Sequence, residues 1–275
     1  MNPSIRPTQT LTVTPQGVQD REDYLVLEEP LEIRLAHGAG KNRKRFTVAV
    51  TMRTPGHDED LALGFLFTEG IIARAAAVTE IRNPEENVIL LELAPDIYVD
   101  SEQLVRHFYT SSSCGVCGKA SLEAVQTVNC YYPAHGKPQI RPSLVYGLPE
   151  KLRAAQLAFA STGGLHATGL FDAAGNLLFL REDIGRHNAL DKVIGAALRA
   201  GVPLPFRDFI VLVSGRAGFE LVQKATMAGI PVLAAVGAPS SLSVELAEAG
   251  NMTLIGFLRG ERFNIYAWPE RISPG

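Results

Sequence analysis

Between residues 209 and 258 the sequence repeats one arrangement: a short, mainly apolar run, a longer segment with apolar residues at helical spacing, and another apolar run. The runs at 209–213, 231–236 and 252–258 show no polar alternation, which marks strands buried on both faces. The segments between them, 218–228 and 242–249, read as helices. Strand, helix, strand, helix, strand implies a parallel sheet covered by helices, an α/β architecture. Ligands of open α/β sheets sit beyond the carboxyl ends of the strands. Residues at those ends are therefore the first functional candidates.

The three ends read Ser214-Gly215-Arg216, Gly237-Ala238-Pro239-Ser240-Ser241, and Leu258-Arg259-Gly260-Glu261-Arg262. Glycine permits close backbone approach, and hydroxyl or guanidinium groups suit phosphate. The first two ends also lead into helices, whose N-termini favour anions. Together they predict a crevice for a phosphate-bearing ligand; the plainer reading is tight turns in which serine caps a helix. Neither GxGxxG nor GxxxxGK[ST] occurs, so a dinucleotide fingerprint and a P-loop are unsupported. A second polar cluster lies upstream, at His166 and from Arg181 through Glu182, Asp183, Arg186 and His187 to Asp191 and Lys192. His166 is a candidate proton donor or ligand partner, weighed against an ordinary structural histidine.

The remainder of the chain is less regular. Residues 149–160 and 186–199 read as helices, with Gly201 stopping the second, and 167–171 with 177–181 as a hairpin across Asp172-Ala-Ala-Gly-Asn176. Upstream, 24–36, 46–53, 78–82 and 87–93 read as strands and 58–69 as a helix with acids in its first turn. This order predicts a flexible tail at 1–20, an α+β N-terminal domain at 21–110, a cysteine loop, helix and linker at 111–147, and an α/β C-terminal domain at 148–275. The tail assignment rests on Pro3, Pro7 and Pro15 among polar residues.

With 275 residues and 46% hydrophobic content, the chain has enough apolar surface for a sizeable core, which excludes extensive disorder. A formal charge of −3 gives no footprint for nucleic acid. No apolar stretch approaches the ~20 residues of a membrane helix, and the N-terminus has no signal-like core. Three cysteines are too few for a disulfide scaffold. The expectation is a cytoplasmic protein that binds neither membrane nor nucleic acid.

Cys114 and Cys117 lie in Ser-Ser-Ser-Cys-Gly-Val-Cys-Gly-Lys, ahead of a helical pattern at 120–128. A thiol near a helix N-terminus and a lysine has a lowered pKa and hence more nucleophilic thiolate. It can accept sulfur as a persulfide and exchange with a neighbouring thiol. Cys130 has no such neighbourhood and reads as a small core residue. A structural zinc site would need further ligands. His57-Asp58-Glu59 with Cys114-Gly-Val-Cys117 only partly matches the zinc-deaminase signature, with Ser113 in place of its proline. A thioredoxin-like pair would fall nearer a first strand. No metal is expected. Spacing alone does not separate sulfur transfer from redox exchange.

From about residue 24 onward the sequence resembles the formate dehydrogenase accessory sulfurtransferases, the FdhD proteins. The resemblance is carried by SSCGVCGKASLE (112–123), STGGLHATGLFD (161–172), REDIGRHNALDK (181–192), SGRAGFELVQKA (214–225), GAPSSLSVELA (237–247) and FLRGERFNIY (257–266). It implies a cytidine-deaminase-like C-terminal domain without deaminase activity, a smaller N-terminal domain and a homodimer. It implies sulfur taken from a cysteine desulfurase and delivered to the molybdenum bis(molybdopterin guanine dinucleotide) cofactor, a bound substrate that then serves formate dehydrogenase. No permanently bound cofactor is expected. By position, Cys114 is the persulfide carrier and Cys117 its partner. Phe257, Leu258, Arg259, Gly260, Glu261 and Arg262 form the cofactor-binding segment, joined in the crevice by Ser214, Gly215, Arg216, His166 and His187. A non-catalytic holder of the same cofactor and a zinc-dependent deaminase are the rival expectations.

Overall fold

The computed structural model describes residues 4–99 and 131–273. The readings of 111–130 as a cysteine loop and helix, with Cys114, Cys117 and Cys130, lie outside them. Three sheets and six α-helices are present among the described residues. Strands β1 (Ile5–Thr14) and β2 (Gly17–Val26) form an antiparallel hairpin. Strands β3 (Glu29–His37), β4 (Lys44–Arg53), β5 (Val78–Glu85) and β6 (Val88–Leu93) form a four-stranded sheet in the order β4-β3-β6-β5, with helix α1 (Asp58–Thr68) between β4 and β5.

Helices α2 (Pro142–Ala155) and α3 (Leu157–Thr162) lead into β7 (His166–Asp172) and β8 (Leu177–Asp183). Helix α4 (Arg186–Arg199), β9 (Phe209–Val213), α5 (Phe219–Met227), β10 (Val232–Ala235), α6 (Ser241–Ala249), β11 (Thr253–Arg259) and β12 (Arg262–Ala267) follow. Their six strands form one sheet in the order β12-β11-β10-β9-β7-β8. The alternation expected over 209–258 is present to within a residue or two at each boundary. The sheet is mixed, however: β9, β10 and β11 run parallel, while β7 and β12 run antiparallel to their neighbours.

Three local expectations are corrected. Residues 1–20 are not wholly a loose tail, because β1 and the start of β2 occupy most of them. The threonine-rich run 8–14 suits extended backbone, and a two-stranded ribbon tolerates Pro7 as an interior strand would not. The helix expected at 149–160 begins earlier, at Pro142, where proline is pre-organised for the first helical turn, and breaks at Gln156. Strand β12 was not expected; Gly260, at φ 52°, reverses the chain and lets 262–267 pair back on β11.

The main core runs continuously from the four-stranded sheet (Ile33, Leu35, Ile89, Leu91) through α1 (Leu61, Leu66) to α4 (Leu190, Val193, Ile194) and the large sheet (Val211, Leu233). A smaller cluster on the sheet's other face packs Val145, Leu148 and Leu152 of α2 against Phe171, Ile210, Ile255 and Leu258. Each such side chain contributes about 1.5–3 kcal/mol by leaving water. Helices α1 and α4 touch backbone to backbone. A Cβ added at Gly64 would lie 1.9 Å from the Asp191 carbonyl oxygen, and one at Gly195 1.9 Å from that of Asp60.

Charges buried in this seam are all paired. Asp60 accepts from Arg181 Nε and Nη2 (2.9 and 2.8 Å) and Arg199 Nη1 (2.7 Å). Asp183 meets Lys192 at 2.7 Å, and the same ammonium donates to the Thr54 carbonyl at 2.8 Å. Lys224 donates to Asp191 (2.9 Å), Glu69 (2.8 Å) and Thr68 (3.0 Å). Burial opposes the Lys224 charge, but Asp191 and Glu69 outweigh it and raise its pKa above the ordinary lysine range.

At the far end of the sheet, buried Arg271 donates to the carbonyls of Lys137 (2.6 Å) and Ala134 (2.8 Å), which fixes the stretch after residue 131 to the foot of β11. On its other side the chain is anchored by Val99, buried in the main core.

Candidate functional site

Because β9, β10 and β11 are parallel neighbours, the turns after them share one edge of the sheet. Strand β7 begins at that edge and β8 ends there, since His166 pairs with Asp183 in register. The turns are bonded to one another. Gly237 N–H donates to the Gly215 carbonyl (2.9 Å), Phe257 N–H to that of Gly237 (3.0 Å) and Ala217 N–H to that of Ala238 (3.1 Å). Glycine is needed at 237, where a Cβ would sit 2.9 Å from the Arg216 Cα. A Cβ at Gly215 would press on the His166 ring at 3.3 Å.

The expected site residues separate into two sets. Ser214 Oγ accepts from Ala167 N–H at 2.9 Å and locks β9 to β7. Ser240 caps α6 through a reciprocal pair with Ser243. For both serines the plainer reading holds. Leu258 is fully buried in the smaller core and is a packing residue. Upstream, Glu182 accepts from the N–H groups of Ala158 (3.0 Å) and Phe159 (2.8 Å) at the start of α3. Asp183, Asp191 and Lys192 belong to the buried seam. The deaminase-like triplet is likewise engaged in pairing: Asp58 takes two hydrogen bonds from Arg53, and Glu59 pairs with Arg199.

The other set faces the edge. Arg216, Arg259, Gly260, Glu261 and Arg262 are exposed, and no side-chain hydrogen bond or ion pair joins the three arginines to other described residues. Phe257 sits in a bulge of β11 with φ 54°, a left-handed conformation that costs a phenylalanine energy and is typical of functional turns. His166 is half-buried. Burial first, then the nearby Arg186 and His187, hold its pKa below the ordinary histidine range, which favours the neutral imidazole. His187 Nε2 lies 2.9 Å from Glu220 Oε2, bridging the first turns of α4 and α5. Arg186 carries a buried Nε–H with no hydrogen-bond partner among the described residues.

Sequence reasoning noticed Arg186 without assigning it to the site, and it missed Glu220. The one available signal for Glu220 was its place two residues after Gly218 in the first turn of α5. Neutral and cationic donors thus line a glycine-built edge, an arrangement that can hold an oxyanion-bearing ligand.

The fold and this edge define a class: an α/β protein with charged residues gathered at the carboxyl ends of its parallel strands. The FdhD/NarQ family model matches residues 26–273. The chain is 51% identical over 262 residues to the sulfur carrier protein FdhD of Mycolicibacterium paratuberculosis, covering 92% of this chain and 93% of that one. It is 43% identical over 250 residues to the sulfur carrier protein FdhD of Saccharolobus solfataricus, covering 91% of each. A crystal structure from Desulfotalea psychrophila, described as that of a formate dehydrogenase accessory protein, superimposes with a TM-score of 0.75 at 24% identity, covering 98% of this chain and 100% of that one, and so shares the fold. The chain belongs to the FdhD/NarQ family. No helix among the described residues is long and apolar enough to cross a membrane.

Proposed function

We propose that this protein is a sulfur carrier in the maturation of formate dehydrogenase, working as a cytoplasmic homodimer. The observation that carries the reading is the identity of about half the residues, over nine-tenths of the chain, with proteins named sulfur carrier. Cys114 is the acceptor. Its thiolate attacks the terminal sulfur of a persulfide on a cysteine desulfurase, forms a new S–S bond and releases the desulfurase thiolate. Cys117, three residues on, is placed in the sequence for thiol exchange. The crevice at the strand ends holds the recipient, the molybdenum bis(molybdopterin guanine dinucleotide), as substrate; Phe257, Arg259, Gly260, Glu261, Arg262 and Arg216 are its contacts. The exposed arginines suit its phosphates and the bulge at Phe257 brings an aromatic ring to the same edge.

Mass spectrometry after incubation with a desulfurase and cysteine tests the carrier step. The peptide holding Cys114 gains about 32 Da, one sulfur atom, and Cys114→Ala removes the gain. Absence of that gain in the native chain overturns the reading. Full activation of formate dehydrogenase by the cysteine variants would favour a holder of the cofactor instead.

A further inference from the structure

The β1–β2 ribbon leaves both of its faces in water. Its pairing runs in unbroken register from Ile5 opposite Val26 to Thr14 opposite Gly17, so the ribbon is about 30 Å long. Only its base is tied down. Leu27 N–H donates to the Ser4 carbonyl (2.9 Å), Ser4 Oγ donates to the Pro55 carbonyl (2.8 Å), and Val26 lies beside Gly164. Beyond the base, its side-chain hydrogen bonds stay within the ribbon. Directly opposed residues share a face, and successive residues alternate between faces. One face therefore carries Pro7, Leu11 and Val13 against Tyr24, Asp20 and Val18; the other carries Thr8, Thr10 and Thr12 against Asp23, Arg21 and Gln19. Apolar side chains are sorted onto one face and then left uncovered: Leu11, Val13 and Val18 are 63, 75 and 62% exposed. A lone two-stranded ribbon is at best marginally stable in water, and an apolar face rimmed by polar groups marks a protein contact. The family match begins at residue 26, so the ribbon lies outside it.

The same chain carries a surface that fits this face. Leu31, Ile33 and Leu35 of β3 point into the core, so Glu32 and its opposite Val50 lie on the open face of the four-stranded sheet. Val50 and Met52 are exposed there, at 63 and 48%. Towards the other end of β4, Arg43, Arg45 and Arg82 share the single carboxylate of Glu92, and exposed Lys44 has no ion pair among the described residues. That end of the sheet therefore has cationic charge to spare. The ribbon's apolar face has the opposite excess, in Asp20 and Glu22. Two ribbons packed face to face about a twofold axis would gather four carboxylates, which is repulsive; a ribbon on the cationic sheet matches charge instead.

We propose that the occupant of the ribbon's apolar face is a second copy of this chain. Each ribbon lies on the open sheet face of its partner, with its apolar residues over Val50 and Met52 and with Asp20 and Glu22 against Lys44 and Arg45. The contact is made twice, once in each direction, as a twofold axis requires. Five opposed pairs from each ribbon, with a similar number of residues on each receiving sheet, come to about 20 residues a side, the size of a stable interface. The inference rests on the proposed homodimer and deepens it by naming its surface.

Analytical ultracentrifugation of the full chain tests this. The native chain is expected to sediment as a dimer at micromolar concentration. Leu11→Asp combined with Val18→Asp should weaken the dimer about tenfold or more, with native circular dichroism, because both side chains are exposed. Glu22→Lys and Arg45→Glu should each weaken it severalfold, and the chain carrying both should recover, since the reversed charges still meet across the interface. Carbodiimide cross-linking of mixed isotopically light and heavy chains should join Asp20 or Glu22 to Lys44 in mixed pairs. A native chain that sediments as a monomer overturns the homodimer and this contact with it. A native dimer unmoved by the ribbon and Arg45 variants overturns the contact alone and leaves the homodimer standing. Cross-links confined to one isotope would place the ribbon on its own sheet, and ribbon variants that lose formate dehydrogenase binding with the dimer intact would assign it to a different protein; either result overturns the second copy.

Discussion

Two regions of this molecule are rich in charge, and they treat it in opposite ways. In the seam where α1, α4 and α5 meet, Asp60, Asp183, Asp191, Lys192 and Lys224 are buried and each has an ionic partner within 3 Å. At the strand-end edge, Arg216, Arg259 and Arg262 are exposed with no partner among the described residues, and Arg186 holds a donor with no acceptor. A buried charge is tolerated only when it is matched, so the seam's charges are committed to the fold. The edge leaves its donors unmatched, which on the proposed function is where a ligand's acceptors would go. Pairing, rather than the presence of charge, distinguishes scaffold from site.

The contrast is tested first by its largest expected effect. Lys224→Met strands Asp191 in the core and should cost about 3–5 kcal/mol in denaturant unfolding; a loss below 1 kcal/mol would mean that the seam does not depend on pairing. Gly195→Ala attacks the same seam sterically. Its methyl group would collide with the Asp60 carbonyl, and about 2–3 kcal/mol should be lost as the helices part.

Glu92 stands between the two regimes. It is buried, and its partners Arg43 and Arg82 are partly exposed. Burial opposes its charge, but hydrogen bonds from those arginines prevail and hold its carboxyl below the usual glutamate range. Its contribution is therefore present above the unfolded-state value of about 4.3 and is lost as pH falls through the lower folded value. Glu92→Gln should cost about 1 kcal/mol at neutral pH and flatten the fall in stability below about pH 4.3, as read by unfolding at several pH values. The smallest effect on the fold belongs to the edge. Arg262→Ala should shift stability by no more than about 0.5 kcal/mol, while guanosine diphosphate binding weakens severalfold. A large destabilisation there would erase the distinction between the regions.

The same contrast explains what the sequence made legible. Strands β9 to β11 announced themselves because burial on both faces demands unbroken apolar runs, and glycines and prolines punctuate their ends. Their turns were placed on one edge by topology alone. The sequence did not reveal which polar residues would be matched. Ser214, Ser240, Asp183 and Lys192 looked as available as Arg259, and only the third dimension shows Lys192 against Thr54, far away in the chain. Asp60 looked like a helix-terminus charge and is instead a clamp on two distant arginines. The β1–β2 ribbon was obscured by prolines that an interior strand would not tolerate.

The anchoring of the chain by Arg271 bears on how the two ends of the large sheet divide their work. Tyr131 lies by the foot of β10, where its Cβ is 3.0 Å from a Cβ built on Gly229, and the crevice lies at the sheet's opposite edge, about 20 Å away at the usual rise of a strand. The carbonyls held by Arg271 therefore belong to the end of the sheet that the strand-end turns do not share, so damage to that clasp is read as lost stability before it is read at the edge.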